Sequence, residues 1–449
     1  MKHIALAVLA VFLSSYTICA RASLDILVDR ADLLSTPAAA FEQAAGQHGE
    51  WIDATDSRTL RLRRPSYLGS PVAEALVQFS SGGAPLRAQV LLYSRGDDGP
   101  CAGRDFVARV ETARTHLDAV SGTSGVKRNV PASSRLIELR SWEWSTPRAV
   151  YRLDVASQGR ASNLQGEFIR LWVLPPSTSA ASTGRPFLPV PGNPRLAAPS
   201  PAPSDRATRR DTAKKADLLA NITRNGTAVT LSNIPMVDQG DKGYCAAATL
   251  SRLLSYYGIG SIDQHELAAA MATDADGGTS SLAMKKAMAE CGRKFGLRLA
   301  DIDGLDYRDY DRLVKDYNSA ARHRGTPRIE NRGGMPVVGD PFWLLADGET
   351  LRDARAETPQ KQRLWLKKAR DYLDAGVPVV WGVYCGLLPE QGRMVSSRGG
   401  HLRLLVGYDE AQSLVYYSDT WGPGHECKPM PLADAIAITR SRFALLPKW

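Results

Sequence analysis

Between Ser177 and about Ala216 the chain reads "STSAASTGRPFLPVPGNPRLAAPSPAPSDRATRRDTAKKA", rich in Pro, Ser, Ala and charge and poor in large apolar side chains. Such a stretch buries too little apolar surface to offset the entropy of ordering it, so it predicts a semi-extended linker at residues 177–216 and a domain boundary. A chain of 449 residues is already longer than one hydrophobic core usually covers. The 44% hydrophobic content leaves enough apolar surface for a core on each side of the linker.

The N-terminus carries Lys2, an apolar run from Ile4 to Leu13, and the small-x-small site Ala20-Arg21-Ala22 before Ser23. The run is too short to span a bilayer, and the pattern predicts a cleavable secretory signal at residues 1–22. No other apolar stretch is long enough to span a membrane. The reading is therefore a secreted or periplasmic protein without stable membrane insertion. Loss of Lys2 and Arg21 lowers the formal charge from +9 to +7. The basic residues are scattered through "RTLRLRR", "RATRR" and "RLWLKKAR" and read as solvated surface, drawn to anionic envelopes or acidic substrates. Without a recognisable module or interleaved aromatics, nucleic acid is excluded as a partner.

Residues 23–176 read as a β-rich accessory domain. "TLRLRR", "EALVQF", "AQVLLYS", "RLIELRSWEW", "AVYRLDV" and "FIRLWVLP" alternate or run apolar between turn residues. One helix, "DFVARVETARTHLDAV", interrupts them, with Val107, Val110, Ala113 and Leu117 on one face. His48 and His116 are isolated and read as packing or surface residues. Residues 217–449 place helices first and strands last, an α+β order. The helices are read in "SIDQHELAAAMA", "SSLAMKKAMAECG" and "QKQRLWLKKARDYLDAG", the strands in "VPVVWGVYCG", "HLRLLVGYD" and "SLVYYSDTW".

The chemistry concentrates here. Cys245 opens an amphipathic helical pattern in which Leu250, Leu253, Leu254 and Tyr257 recur at helical spacing before Gly258. A thiol in the first helical turn feels the unpaired N–H groups, which favour thiolate. In "RGGHLRLLVGYDEAQSLVYYSDTWG" a turn at "DEAQS" separates two strand-like runs. A hairpin centred on Glu410 sets His401 opposite Asp419, close enough for the carboxylate to hold the imidazole. Gln239, six positions before Cys245, supplies a side-chain amide beside the Cys245 N–H for an oxyanion. Gly240 and Gly243 let the intervening loop fold tightly and leave room for a substrate backbone. Together these residue types suit thiol acyl transfer. Alone, Cys245 on an Ala-rich helix reads as a small buried apolar residue, and only its conjunction with Gln239, His401 and Asp419 makes it a nucleophile.

This spacing, Gln239 to Cys245 and far downstream Gly400-His401 with Ser418-Asp419-Thr420-Trp421-Gly422, resembles the papain-like cysteine peptidase superfamily. It is most similar to the bacterial C39-like branch, over residues from about 234 to 449. The resemblance implies a papain-like C-terminal domain: a helical subdomain carrying Cys245, an antiparallel β subdomain carrying His401 and Asp419, and a cleft between them. It further implies that Gln239 is the oxyanion donor and that Trp421 shields the His401–Asp419 bond. The substrate it implies is a peptide or protein; separately, the residues call for no cofactor and no metal. The segment "DYRDYDRLVKDYNSAARHRGTPRIENRGGMPVVGDPFWLLADGETLRDARAE" has no counterpart in the family.

Other readings stand beside this one: a thiol amidase or acyl transferase acting on cell-wall peptides, or a catalytically silent papain-like binding protein. The N-terminal domain reads as inhibitory or substrate-binding. With the signal removed five cysteines remain, Cys101, Cys245, Cys291, Cys385 and Cys427. In an oxidising compartment four would pair, with Cys385 to Cys427 the favoured bridge and Cys245 left free. His425 and Cys427 in "GHEC" lack two further ligands at useful spacing for a metal.

Overall fold

A computed structural model describes residues 24–45, 49–52, 59–159, 163–176, 213–260, 262–275, 277–331, 333, 335–391 and 398–448. The signal segment, His48 and all but the last few residues of the linker reading fall outside these. The described chain is a mixed helix and sheet structure built on two large antiparallel sheets, each with its own apolar core.

The first sheet has the strand order Gly49–Trp51, Thr59–Arg63, Glu74–Phe79, Pro85–Ser94, Gln165–Leu174, Val150–Gln158, Arg140–Ser145 and Val126–Arg128. Because side chains alternate across a strand, Leu60, Leu62, Val77, Val90, Leu153 and Leu171 line one face and form an apolar core. The helix Gly103–Ser121 covers this face. Its buried stripe is Phe106, Val110, Ala113 and Leu117, whereas Val107 is exposed. The period is the one read from the sequence, but Phe106, not Val107, begins the stripe. Burying Phe106 or Leu117 is worth about 1.5–3 kcal/mol each. Short helices at Asp25–Asp29 and Ala38–Ala45, absent from the sequence reading, precede the sheet.

The opposite face of this sheet carries Arg61, Glu74, Gln89, Arg152, Asp154 and Arg170, each at most 3% exposed. The "RTLRLRR" tract is therefore not simply solvated surface, since Arg61 is buried in ion pairs to Glu74 and Asp238. The charged face is covered by the second half of the chain, chiefly by the helix Gln264–Ala270 and by residues 238–244. The β-rich unit is consequently not a free-standing accessory.

The second sheet runs Ile222–Asn225, Ala228–Leu231, Gly399–Asp409, Val379–Cys385, Thr439–Pro447 and Leu297–Gly304, with Leu414–Ser418 and then Lys428–Pro431 added beside Gly399–Asp409. The helix Cys245–Tyr256 is buried on nearly every side, which its Ala and Leu content permits, and Gly258 at φ +74° follows its end. It is thus a central helix rather than an amphipathic surface one. The segment from Asp306 to Glu357 forms the helices Tyr307–Arg324, Asp340–Leu345 and Gly348–Ala356, whose Tyr310, Tyr317, Phe342 and Trp343 pack into the same core.

None of the five described cysteines is paired. The strand ending at Cys385 and the strand beginning at Lys428 are separated by two others in the sheet, about 14 Å at the usual strand spacing. A disulfide needs Cα atoms within about 7 Å, so the expected bridge to Cys427 is geometrically excluded.

Candidate active site

The loop before Cys245 is set by short-range chemistry. The Asp238 carboxylate accepts from the Gly240 N–H at 2.7 Å, and Gly240 sits at φ +68°. A Cβ on Gly243 would lie 2.9 Å from the Gly278 Cα. The space beside Gly243 is therefore filled by the 274–278 turn, and that glycine serves close packing rather than room for substrate. Tyr244 leads into the helix without a side-chain cap, leaving the thiol of half-buried Cys245 among the free N–H groups of the first turn.

Gln239 is buried and held at three points. Its N–H donates to the Thr420 carbonyl at 2.8 Å, its Oε1 accepts from the Thr420 hydroxyl at 2.5 Å, and its Nε2 donates to the Lys242 carbonyl at 2.7 Å. The Thr420 contacts tie the loop to the residue next to Asp419.

His401 lies on Gly399–Asp409, with its Nε2 at 3.1 Å from the Asp419 carboxylate. The strand register differs from the reading that centred the hairpin on Glu410. Leu404 pairs with Ser418, and a bulge falls between Leu405 and Gly407, so the partner strand is displaced by two residues at the His401 end. Side chains repeat every two residues, so an even displacement keeps both groups on one face. Asp419 thus reaches His401 diagonally from just beyond the strand end. Extrapolated from the pairs nearest His401, this register sets Trp421 opposite that histidine. The Trp421 indole stacks on the imidazole with ring centroids 4.6 Å apart and planes 20° from parallel.

With Nε2 on Asp419, Nδ1 of His401 is left for Cys245. Burial alone would raise the Cys245 thiol, but the His401 hydrogen bond and charge, with backbone hydrogen bonds from Leu402 and Ala246, lower it from its ordinary value of 9.0. Burial alone would lower the His401 imidazole, but hydrogen bonds to Asp419 and Cys245 raise it above 6.5. The other described thiols move the opposite way: burial pushes Cys291 and Cys385 up to about 12 and also raises Cys101 and Cys427. Among them Cys245 alone is driven toward thiolate.

Asp419 is fully buried, and three cationic side chains surround it. Arg403 Nε lies 2.7 Å from one carboxylate oxygen and Lys428 Nζ 2.5 Å from the other. Arg252 donates to the Asp419 carbonyl at 2.6 Å, to the Ser418 hydroxyl at 2.5 Å and to the Pro235 carbonyl at 2.8 Å. Arg403 is also matched by Glu390 at 2.8 Å. Burial would raise the Asp419 carboxyl, but the Arg403 charge and the His401 hydrogen bond hold it well below the usual carboxylate range. His425 and Lys428 face one another at 2.9 Å, and His425 packs edge-on against Trp421.

Sequence reasoning missed Arg403, Lys428 and Arg252. Arg403 follows His401 by two positions on one strand face, and Arg252 follows Cys245 by seven on one helix face. Those periods were available as signals. Lys428 had none, because its approach depends on how the last strand pairs.

Residues 349–437 match the model of the Peptidase_C39 like family, so this part of the chain is similar to that family. The matched span contains His401 and Asp419 and excludes Gln239 and Cys245. It also begins inside the segment that has no counterpart in the sequence-based resemblance. Comparison with curated proteins finds no match.

Proposed function

We propose that the protein is an extracytoplasmic cysteine peptidase whose papain-like domain hydrolyses peptide bonds with Cys245, His401, Asp419 and Gln239. The observation that carries this reading is a histidine clamped between a buried carboxylate and an indole ring that shares one core with a cysteine at the open start of a helix. The Cys245 thiolate attacks the peptide carbonyl, and the C–N bond breaks as the His401 imidazolium passes its proton to the departing amine. Water, deprotonated by His401, then releases the acid from the thioester. Asp419 holds the tautomer that presents Nδ1 to sulfur. Gln239 spends one amide hydrogen on Lys242 and keeps the second for the oxyanion, beside the Cys245 N–H. The extracytoplasmic setting rests on the leader-like sequence at residues 1–22.

The test is incubation of the purified protein with an unfolded polypeptide and, separately, with peptidoglycan fragments, followed by mass analysis. New peptide N-termini from the polypeptide are expected. Turnover of the cell-wall fragments alone would move the reading to an amidase, and no turnover with an unreactive Cys245 would overturn it. Within this reading, Gln239→Ala should lower kcat for peptide hydrolysis by roughly 100-fold, as expected for one lost oxyanion donor. Alkylation of Cys245 by iodoacetamide, which builds no oxyanion, should stay within about twofold. Steady-state kinetics and intact-mass labelling measure the two.

A further inference from the structure

We propose that the N-terminal sheet is a fixed part of the catalytic apparatus, in which Glu74 and Arg61 are positioning residues that hold the Gln239 to Cys245 loop. The proposal rests on the peptidase reading above and concerns the same site.

The contacts fall on both sides of the oxyanion donor. Glu74 lies at the node: its carboxylate is 2.6 Å from Lys242 Nζ, 3.1 Å from His265 Nε2 and 3.4 Å from Arg61 Nε, and each of these side chains is at most 3% exposed. Arg61 continues across the boundary to the Asp238 carboxylate at 2.9 Å and the Asp238 carbonyl at 3.1 Å. Asp238 and Lys242 flank Gln239, and the Lys242 carbonyl is the group that accepts the Gln239 amide. Tyr244, next to Cys245, places its hydroxyl 2.8 Å from Ser94 Oγ, and its ring lies against Gly96, where an added Cβ would fall 2.1 Å from Cε1. Three loop residues are thus gripped by side chains of the N-terminal unit or packed on its backbone.

A second buried node anchors the same boundary. Arg170 meets Asp263 at 2.8 Å and Glu266 at 3.4 Å, and Glu266 also accepts from the Ser134 N–H and the Ser133 hydroxyl, both at 2.9 Å. The helix Gln264–Ala270 that carries His265 is therefore pinned to the sheet independently of Glu74. With that helix fixed, Glu74 and Arg61 have a rigid base from which to set the loop. Burying so many charges is costly unless each is paired, and a boundary built from such pairs specifies one arrangement rather than a sliding surface.

This role is opposite in sign to inhibition. Loss of an inhibitory contact raises turnover, whereas loosening these contacts lowers it. The test uses two variants of the full-length protein, Glu74→Gln and Gly96→Ala. The first removes the charge at the node with little change of shape. The second adds one methyl in a helical turn that accepts Ala, and pushes on Tyr244 from the N-terminal side.

Folded variants should show kcat for peptide hydrolysis lowered by roughly 10- to 100-fold, the size expected when a donor is displaced by about an ångström. KM should stay within about threefold, and Cys245 alkylation at pH 6 within about twofold, because the thiol and His401 are held by other contacts. Either variant showing this pattern supports the proposal, so failure of one to fold leaves the other decisive. Unchanged turnover in the folded variants overturns it. Increased turnover overturns it in favour of an inhibitory N-terminal unit. Equal losses of turnover and alkylation overturn it too, since they mean general loosening. A wild-type protein with inert Cys245 would fail the peptidase reading itself, which distinguishes that failure from unchanged kinetics in active variants.

Discussion

Cys245→Ala should abolish peptide hydrolysis, by at least about 10,000-fold, while leaving thermal unfolding nearly unchanged. The substitution removes one sulfur from a half-buried helix start and adds a residue that favours helix, so no structural penalty opposes the comparison. The partner variant His401→Ala separates the contributions to thiol activation. In the native protein the His401 interactions outweigh burial and pull the thiol below 9.0. Without His401 its hydrogen bond and charge are gone while burial and the backbone hydrogen bonds from Leu402 and Ala246 remain, so the thiol should titrate higher than in the native protein. Each unit of that rise costs tenfold in thiolate, so alkylation of His401→Ala by iodoacetamide at pH 6 should be slower by about 10-fold or more. The sign of the pH profile follows from the same two shifts. Turnover should rise through an acid limb below pH 9, set by Cys245, and fall through an alkaline limb above pH 6.5, set by His401. Coincident alkylation profiles for wild type and His401→Ala would mean that the two groups are uncoupled.

Asp419→Ala should destabilise the protein by about 3–5 kcal/mol, the usual cost of removing one partner from a buried ion pair. Arg403 and Lys428 would be left facing each other with the anion between them gone. The midpoint of thermal unfolding should fall by roughly 3–5 °C, taking about 1 °C per kcal/mol for a chain of 449 residues. Turnover should fall as well, because His401 loses the group that fixes its ring. The pH dependence has a definite direction. The folded carboxyl sits well below 3.8, so its stabilisation is present above the unfolded value and is lost as pH falls through the folded one. The stability gap between wild type and Asp419→Asn should therefore narrow below about pH 4. A gap constant from pH 7 to pH 3, measured by denaturant unfolding, would mean that the Asp419 charge does not contribute to stability.

Much of the framework was legible because it follows from local periodicity. The strand Glu74–Phe79 coincides with "EALVQF", and the helix Pro359–Leu373 lies within one residue of "QKQRLWLKKARDYLDAG" at its start. The placement of Cys245 at a helix start was equally local, since a Gly-rich loop precedes an Ala-rich run. The meeting of His401 with Asp419 was legible for a subtler reason: a register misread by two residues preserves the face of each side chain, although a misreading by one would have separated them.

What the sequence by itself determined was therefore the elements with a clear repeat and the residue types able to do thiol chemistry. Tertiary structure alone decided the environment of those residues. A charged residue alternating with apolar ones reads as solvent-facing, and nothing local distinguishes Arg61, Glu74 and Arg170 from a wet surface. They are dry because a second unit carrying Asp238, Lys242 and Asp263 closes over them. Lys428 meets Asp419 only because the last strands add to the sheet edge in that order. Local patterns set backbone conformation through steric and hydrogen-bonding limits on neighbouring residues. Electrostatic environment is set by whatever the folded chain brings alongside, often from more than a hundred residues away.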